Sequence, residues 1–347
     1  MDLSEKKARI ALACDYNVSP QKLLILLERY GSAQNIISHK ERDLLIRKTL
    51  KDKIGNISSK VDLNETVVFG EDLYPKLLAQ IPDPPLVLFF KGDFNNIDFD
   101  KCIGIVGTRK ITNYGISVTK GLVRFLVERG YIIVSGLAYG IDALAHQETL
   151  AYGGRTIAIL GTSINDPYPQ AHIWLYNKII KNNGLVFSES LQRGLYGKWI
   201  FPKRNRIIAG LCKKLIVIEA PQKSGALITA NYSSDFNREV FGIPGEMFCK
   251  NSVGIHNLIK DNKAKILSKF EDIFDDDQLV LSALSNNRII CTKDESEVVK
   301  SILMGNKTIE SLVENLRYDI NMLLCILGRL ELNNVIEKFE DGSYMVK

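Results

Sequence analysis

Between residues 61 and 270 short runs of β-branched and apolar residues alternate with longer stretches whose apolar positions recur at helical spacing. The runs Thr66–Phe69, Leu86–Phe90, Cys102–Val106, Tyr131–Ser135, Thr156–Leu160, Leu185–Ser188, Leu215–Glu219, Glu239–Ile243 and Lys265–Leu267 predict strands. Ile116–Arg129, Asp142–Tyr152, Ala171–Asn182, Arg206–Leu211, Ala226–Phe236 and His256–Asp261 predict the intervening helices. Such alternation implies an α/β domain with an extended Rossmann-like, doubly wound and mostly parallel sheet, because parallel neighbours need crossover helices that cover both faces. Ligands of these sheets bind beyond the carboxyl ends of the strands.

The flanks read differently. Residues 1–60 carry Leu23, Leu24, Leu26 and Leu27, then Ile36, Ile37, Leu44, Leu45 and Ile46, at helical spacing, which predicts a small helical (SAM or helix-hairpin-helix-like) module. Residues 61–270 form the sheet domain, and 271–290 an acidic, polar linker. Within 291–347, three helical stretches precede two strands joined across Asp341-Gly342, the order of a winged-helix-like domain. Its third helix (319–332) offers one cation, Arg329, and residues 288–347 hold eight basic against ten acidic residues. A helix that reads a DNA groove normally shows several cations, so this end is expected to contact protein or stay idle.

The loops that follow the predicted strands are rich in small and hydroxyl residues: Gly107-Thr108-Arg109, Ser135-Gly136-Leu137-Ala138-Tyr139-Gly140, Gly161-Thr162-Ser163 and Ser224-Gly225. Glycine lets backbone N–H groups approach a phosphate, and hydroxyls add donors. None of these loops is G-x-G-x-x-G or G-x-x-x-x-G-K-[ST], which disfavours a dinucleotide or ATP, and no cofactor is expected.

Charge sharpens the picture. The chain's 347 residues carry a formal net charge of +5, but residues 193–224 hold eight Lys or Arg against the single acid Glu219. Phe201-Pro202-Lys203-Arg204-Asn205-Arg206 stands at the centre of that segment, where a phosphate backbone would satisfy the cations and Phe201 would give a base a stacking surface. Six cysteines without a C-x-x-C pair argue against a metal or a disulfide framework and for buried thiols in a reducing cytoplasm. No apolar run approaches the ~20 residues that span a bilayer, and the N-terminal residues lack a signal-peptide core. His146, four residues after Asp142, reads as a buried structural histidine paired with that carboxylate.

Taken in order, Val106-Gly107-Thr108-Arg109, Ser135 through His146, Phe201 through Gly210, Ser224 through Ala230 and Ile243-Pro244-Gly245 resemble the DNA-processing protein A (DprA, or Smf) family over roughly residues 70–268. The resemblance implies a homodimer that binds single-stranded DNA, loads the RecA recombinase in natural transformation or related recombination, and needs no catalytic step. It assigns phosphate contacts to Gly107, Thr108 and Arg109, places Ser135, Gly136, Ala138, Ser224, Gly225 and Thr229 in the same pocket, and lets Phe201, Lys203, Arg204, Asn205 and Arg206, with Lys198, track the strand. His172 stands where the family usually has Asn. The rival reading is a nucleoside-monophosphate phosphoribohydrolase, with Glu219 as its carboxylate and Arg206 nearby.

Overall fold

Strand side chains are buried on both faces: in Thr156–Leu160, Ile157 and Ile159 join one hydrophobic cluster while Ala158 and Leu160 join another. That two-sided burial is what a sheet covered by helices on both faces requires. The computed structural model describes residues 1–13, 20–38, 62–95, 97–191, 197, 199–274, 293–333, 335–339 and 341–346, in two compact units, Met1–Leu267 and Ser268–Lys347.

The first unit opens with helices α1 (Leu3–Ala13), α2 (Pro20–Tyr30) and α3 (Ala33–Ser38) and continues through β1 (Thr66–Val68), β2 (Val87–Gly92), β3 (Cys102–Val106), α4 (Asn113–Glu128), β4 (Ile132–Ser135), α5 (Ile141–Ala151), β5 (Thr156–Leu160), α6 (Ile173–Lys181), β6 (Leu185–Ser188), α7 (Ile200–Leu211), β7 (Lys214–Val217), α8 (Gly225–Asp235), β8 (Glu239–Gly242), α9 (Val253–Lys260) and β9 (Lys265–Ile266). The strands form one nine-stranded sheet in the order β1-β2-β6-β5-β4-β3-β7-β8-β9. From β6 to β9 every neighbour is parallel, whereas β2 pairs antiparallel with both β1 and β6. The order reverses between β3 and β7, so the crevice favoured by ligands lies at the carboxyl ends of those two strands.

Two features depart from the sequence reading. The N-terminal helices do not stand apart as a module: Ile10, Leu12, Leu23, Leu26 and Ile36 share one core with Val68, Phe89 and Val186 of the sheet. The expected continuation through Leu44–Ile46 lies outside the described residues. Helix α7 begins at Ile200, six residues before the predicted start, so Phe201 to Arg206 lie inside it. Pro202 fits in its first turn, where a backbone N–H has no partner within the helix.

The second unit contains α10 (Lys293–Leu303), α11 (Ile309–Leu316), α12 (Ile320–Leu332) and the antiparallel pair β10 (Ile336–Lys338) and β11 (Tyr344–Val346). Val298, Ile302, Leu312, Leu323, Leu327 and Tyr344 build its core. Arg329, the cation of α12, stands 3.6 Å from Glu295.

Candidate nucleic-acid interface

Helix periodicity splits the basic cluster. At about 100° per residue, Phe201, Arg204 and Asn205 fall on one side of α7 and Lys203 and Arg206 on the other. The first side faces the loops that leave β3, β4 and β5. The second faces Asp83 and Glu189.

On the second side, the Arg206 side chain is 3% exposed and donates to Asp83 Oδ2 at 3.1 Å and Glu189 Oε1 at 2.7 Å. Lys203 is exposed and stands 3.7 Å from the same Glu189. The expectation of a free Arg206 tracking a strand is therefore corrected: its charge is spent on two internal carboxylates. It does not brace Glu219 either. The Glu219 carboxylate instead accepts from the Thr112 N–H (3.1 Å) and the Thr112 hydroxyl (2.5 Å), with Asn251 Nδ2 at 3.5 Å. Glu219 thus holds the loop after β3 in place, while the arginine that the hydrolase reading required is engaged by Asp83 and Glu189.

On the first side, Arg204 is also buried. Its Nη1 donates to the carbonyl oxygens of Gly136 (2.6 Å) and Ile159, and its Nε to Asn205 Oδ1 at 3.1 Å. Burial lowers its pKa to about 10; neighbouring Asp142 acts upward and Arg109 downward. Asn205 Nδ2 continues the chain to the Gly225 carbonyl at 3.2 Å. Arg204 and Asn205 thus clamp the loop of β4 and strand β5 itself to the start of α8, and neither presents a free head group.

The glycine loops are closed in a similar way. Asp142, the second residue of α5, takes the Gly136 N–H at 3.1 Å, and the backbone amides of Ala138 and Gly107 also donate to it. Burial raises its pKa, against the pull of Arg204 and those amides. A carboxylate at a helix N-terminus fills a seat that would suit an external anion. The Thr108 N–H donates to the Glu219 carbonyl at 2.7 Å, and the Ser135 hydroxyl to the Ile105 carbonyl at 2.6 Å. Gly107, Thr108, Ser135, Gly136 and Ala138 accordingly form a self-satisfied scaffold, not the open phosphate cradle expected. Two glycines explain its shape. A Cβ on Gly140, at φ +80°, would stand 2.2 Å from the Thr108 carbonyl, and one on Gly136 would stand 2.6 Å from Arg204 Nη2. Leu137 takes φ +55°, and its carbonyl lies 2.8 Å from His172 Nδ1, which gives His172 a role in shaping this loop.

Above this scaffold the surface is cationic and aromatic. Arg109 is exposed, has no ion-pair partner among the described residues, and lies with its guanidinium 5.8 Å from the centroid of Phe201. The Phe201 ring covers Gly161 and lies 5.8 Å from the ring of Tyr168. Tyr168 and Tyr139 are both exposed, Tyr139 packing at 4.8 Å on His172, and Trp199 projects from the start of α7. The sequence reading gave these three aromatics no binding role and took Tyr168 as part of a loop turn; Trp199, two positions before Phe201, was the available signal. Ser224 caps α8 by accepting from the Ala226 N–H at 3.2 Å, Gly225 is exposed at that terminus, and Thr229 is buried one turn on. Lys198 lies outside the described residues.

His146 is fully buried and pairs with Thr156, not with Asp142: Nδ1 and Thr156 Oγ1 are 2.6 Å apart. The threonine hydroxyl already donates to the Ile133 carbonyl at 2.7 Å, so Nδ1 carries the proton. Burial pushes the His146 pKa down to about 3. Among the described residues no group of His, Cys, Asp and Glu could hold a metal ion, and no helix is long and apolar enough to cross a membrane.

A family model described as DNA recombination-mediator protein A matches residues 65–278. The chain belongs to that family. It is 45% identical over 199 residues to protein Smf of Synechocystis, covering 56% of this chain and 50% of that protein. It is 39% identical to DNA processing protein DprA of Bacillus subtilis, covering 61% of this chain and 70% of that one. The chain thus spans about half the length of the first relative. The crystal structure of DprA from Streptococcus pneumoniae superposes with a TM-score of 0.67 at 31% identity, covering 79% of this chain and 98% of that one. A DNA processing protein A from Helicobacter pylori, described for its single-stranded DNA binding mode, superposes with a TM-score of 0.54 at 27% identity, over 60% and 93% of the two chains. These family members share the fold built around the β3–β7 crevice.

Proposed function

We propose that the protein binds single-stranded DNA along the carboxyl rim of its sheet and acts as a binding and loading protein, not as an enzyme. The observation that carries this reading is the Arg109–Phe201 pair at the rim: a guanidinium with no ion-pair partner among the described residues, beside a ring, above loops in which the amides of Gly107, Thr108, Gly136 and Ala138 are already engaged. A cation next to an aromatic surface suits a polymer that offers a phosphate and a base face at each repeat. The DNA-binding description of the H. pylori relative and membership in a family of recombination mediators support it. In this role the protein covers single strands entering transformation or recombination and passes them to the RecA recombinase, working as a homodimer in the cytoplasm.

Because the amides of Gly107, Thr108, Gly136 and Ala138 are taken, the strand is held by side chains: Arg109 and Lys203 at phosphates, Phe201 under a base, with Tyr168 and Trp199 beside it. Ser224 and Gly225 offer the terminus of α8 as a further contact. The test is the affinity for a fluorescent oligothymidine across a salt series. Arg109→Ala should weaken binding roughly tenfold, the equivalent of ~1.5 kcal/mol for a charge-assisted contact. It should also reduce the slope of log affinity against log salt by about 0.7, one phosphate's worth on a single strand. Unchanged affinity and slope would end the reading.

A further inference from the structure

The most exposed large apolar side chain among the described residues is Phe248, at 94%, beside Met247 at 75%. Both sit at the tip of the loop that joins β8 to α9. That loop is fastened at its base: Tyr114 Oη donates to the Pro244 carbonyl at 2.7 Å, Asn251 Nδ2 to the Lys110 carbonyl at 3.0 Å, and the Ala220 N–H to the Asn251 carbonyl at 2.7 Å. The partners Lys110 and Tyr114 belong to the segment that carries Arg109. The Phe248 tip is therefore a continuation of the same rim, past the β3–β7 crevice. From β5, whose loop seats Phe201, to β8 is four strand spacings, about 19 Å.

Charge around the tip has one dominant sign. Lys250, two positions from Phe248, and Lys110, whose carbonyl holds Asn251, are exposed and have no ion-pair partners among the described residues; Glu246 is the exposed acid on the same loop. A free ring held on a fastened loop among cations repeats the chemistry of Phe201 and Arg109.

Building on the single-strand reading above, we propose that Phe248 is a second base-stacking platform, placed where a strand running from Phe201 past Arg109 leaves the sheet. The occupant is the polynucleotide itself, since cations bordering an aromatic complement a phosphate chain and the tip continues the rim. The two rings would then set the span of strand that one protomer covers.

The experiment compares the full chain with Phe248→Ala and Phe248→Tyr, using oligothymidines of about 15 and about 4 nucleotides, the range of common single-strand footprints. Phe248→Ala should weaken the long oligomer roughly 5- to 150-fold, which is ~1–3 kcal/mol for one stacked base. It should leave the salt slope unchanged, because no charge is removed, and have little effect on the short oligomer, which Arg109 and Phe201 hold. Phe248→Tyr should retain affinity. Full binding of the long oligomer by Phe248→Ala, with Arg109→Ala still defective, overturns the proposal and leaves the rim reading standing. If neither variant is defective, both fail. If Phe248→Ala turns a sedimenting dimer into a monomer and loses affinity only to that extent, the tip is a contact between copies and the proposal is wrong.

Discussion

Arg206 and Arg109 carry the same charge in the same basic region, and their surroundings assign them opposite consequences when removed. Arg206→Ala would leave Asp83 and Glu189 facing each other over a vacated site. Breaking a buried pair by removing one partner costs about 3–5 kcal/mol. Here the lower end applies, because the side chains of Asp83 and Glu189 keep 25% and 21% of their exposure and can recruit water. For a unit of this size, about 3 kcal/mol corresponds to a fall of roughly 6–12 °C in the unfolding midpoint. Differential scanning calorimetry of the full chain reads that fall in the transition of the sheet unit. At a temperature where the variant is folded, its salt slope for oligothymidine should equal that of the unaltered protein. Arg109→Ala should do the reverse, leaving the midpoint within about 1 °C, as expected for an exposed side chain with no ion-pair partner among the described residues. If Arg206→Ala keeps its midpoint and lowers the salt slope as Arg109→Ala does, a phosphate reaches Arg206 and the ion-pair argument is wrong.

Further outcomes follow from the same geometry. Phe201→Ala should weaken oligothymidine binding roughly 5- to 150-fold with no change in salt slope, measured by fluorescence anisotropy. Gly140→Ala should destabilise the fold by about 2 kcal/mol or more, since a side chain at φ +80° is strained and the new Cβ meets the Thr108 carbonyl; a thermal melt measures it. His146 should make stability fall on acidification. Its pKa near 3 in the fold lies below the ordinary 6.5, so the unfolded chain binds the extra proton between those values, and stability is lost as pH drops through that window, by at most about 1.4 kcal/mol per pH unit. Urea titrations at pH 7 and pH 5 should show a smaller loss in His146→Leu than in the unaltered protein.

Most of the sheet was legible because each strand is a short apolar run bounded by turn residues, and burial on both faces leaves little doubt about where such runs belong. Strand β2 was visible as a run, but its antiparallel pairing with β6 was not, since the direction of a strand within a sheet depends on how its connections carry the chain and not on its own apolar pattern. The start of α7 was missed because Phe201-Pro202-Lys203 reads as a turn; Pro202 is compatible with a helix only within the first turn. At the site, the sequence identified the loops and the basic segment. It did not reveal that Arg206 would meet Asp83, 123 positions away, or that Arg204 would reach the Gly136 carbonyl across 68. Composition shows that a cation is present; only folding decides whether an internal carboxylate or carbonyl has claimed it. Asp142 was overlooked for the same reason, having been read as a companion of His146 when its partners are amides of two separate loops.

That carboxylate has a consequence for kinetics. With Asp142 tying Gly107, Gly136 and Ala138 together, the platform under Arg109 and Phe201 keeps its shape before any strand arrives. On the proposed single-strand reading, encounter with DNA would then involve swinging a few surface side chains, with no loop to rebuild. Capture should therefore proceed at the pace set by diffusion and electrostatic steering, and variants of the platform should differ chiefly in how long a strand stays bound.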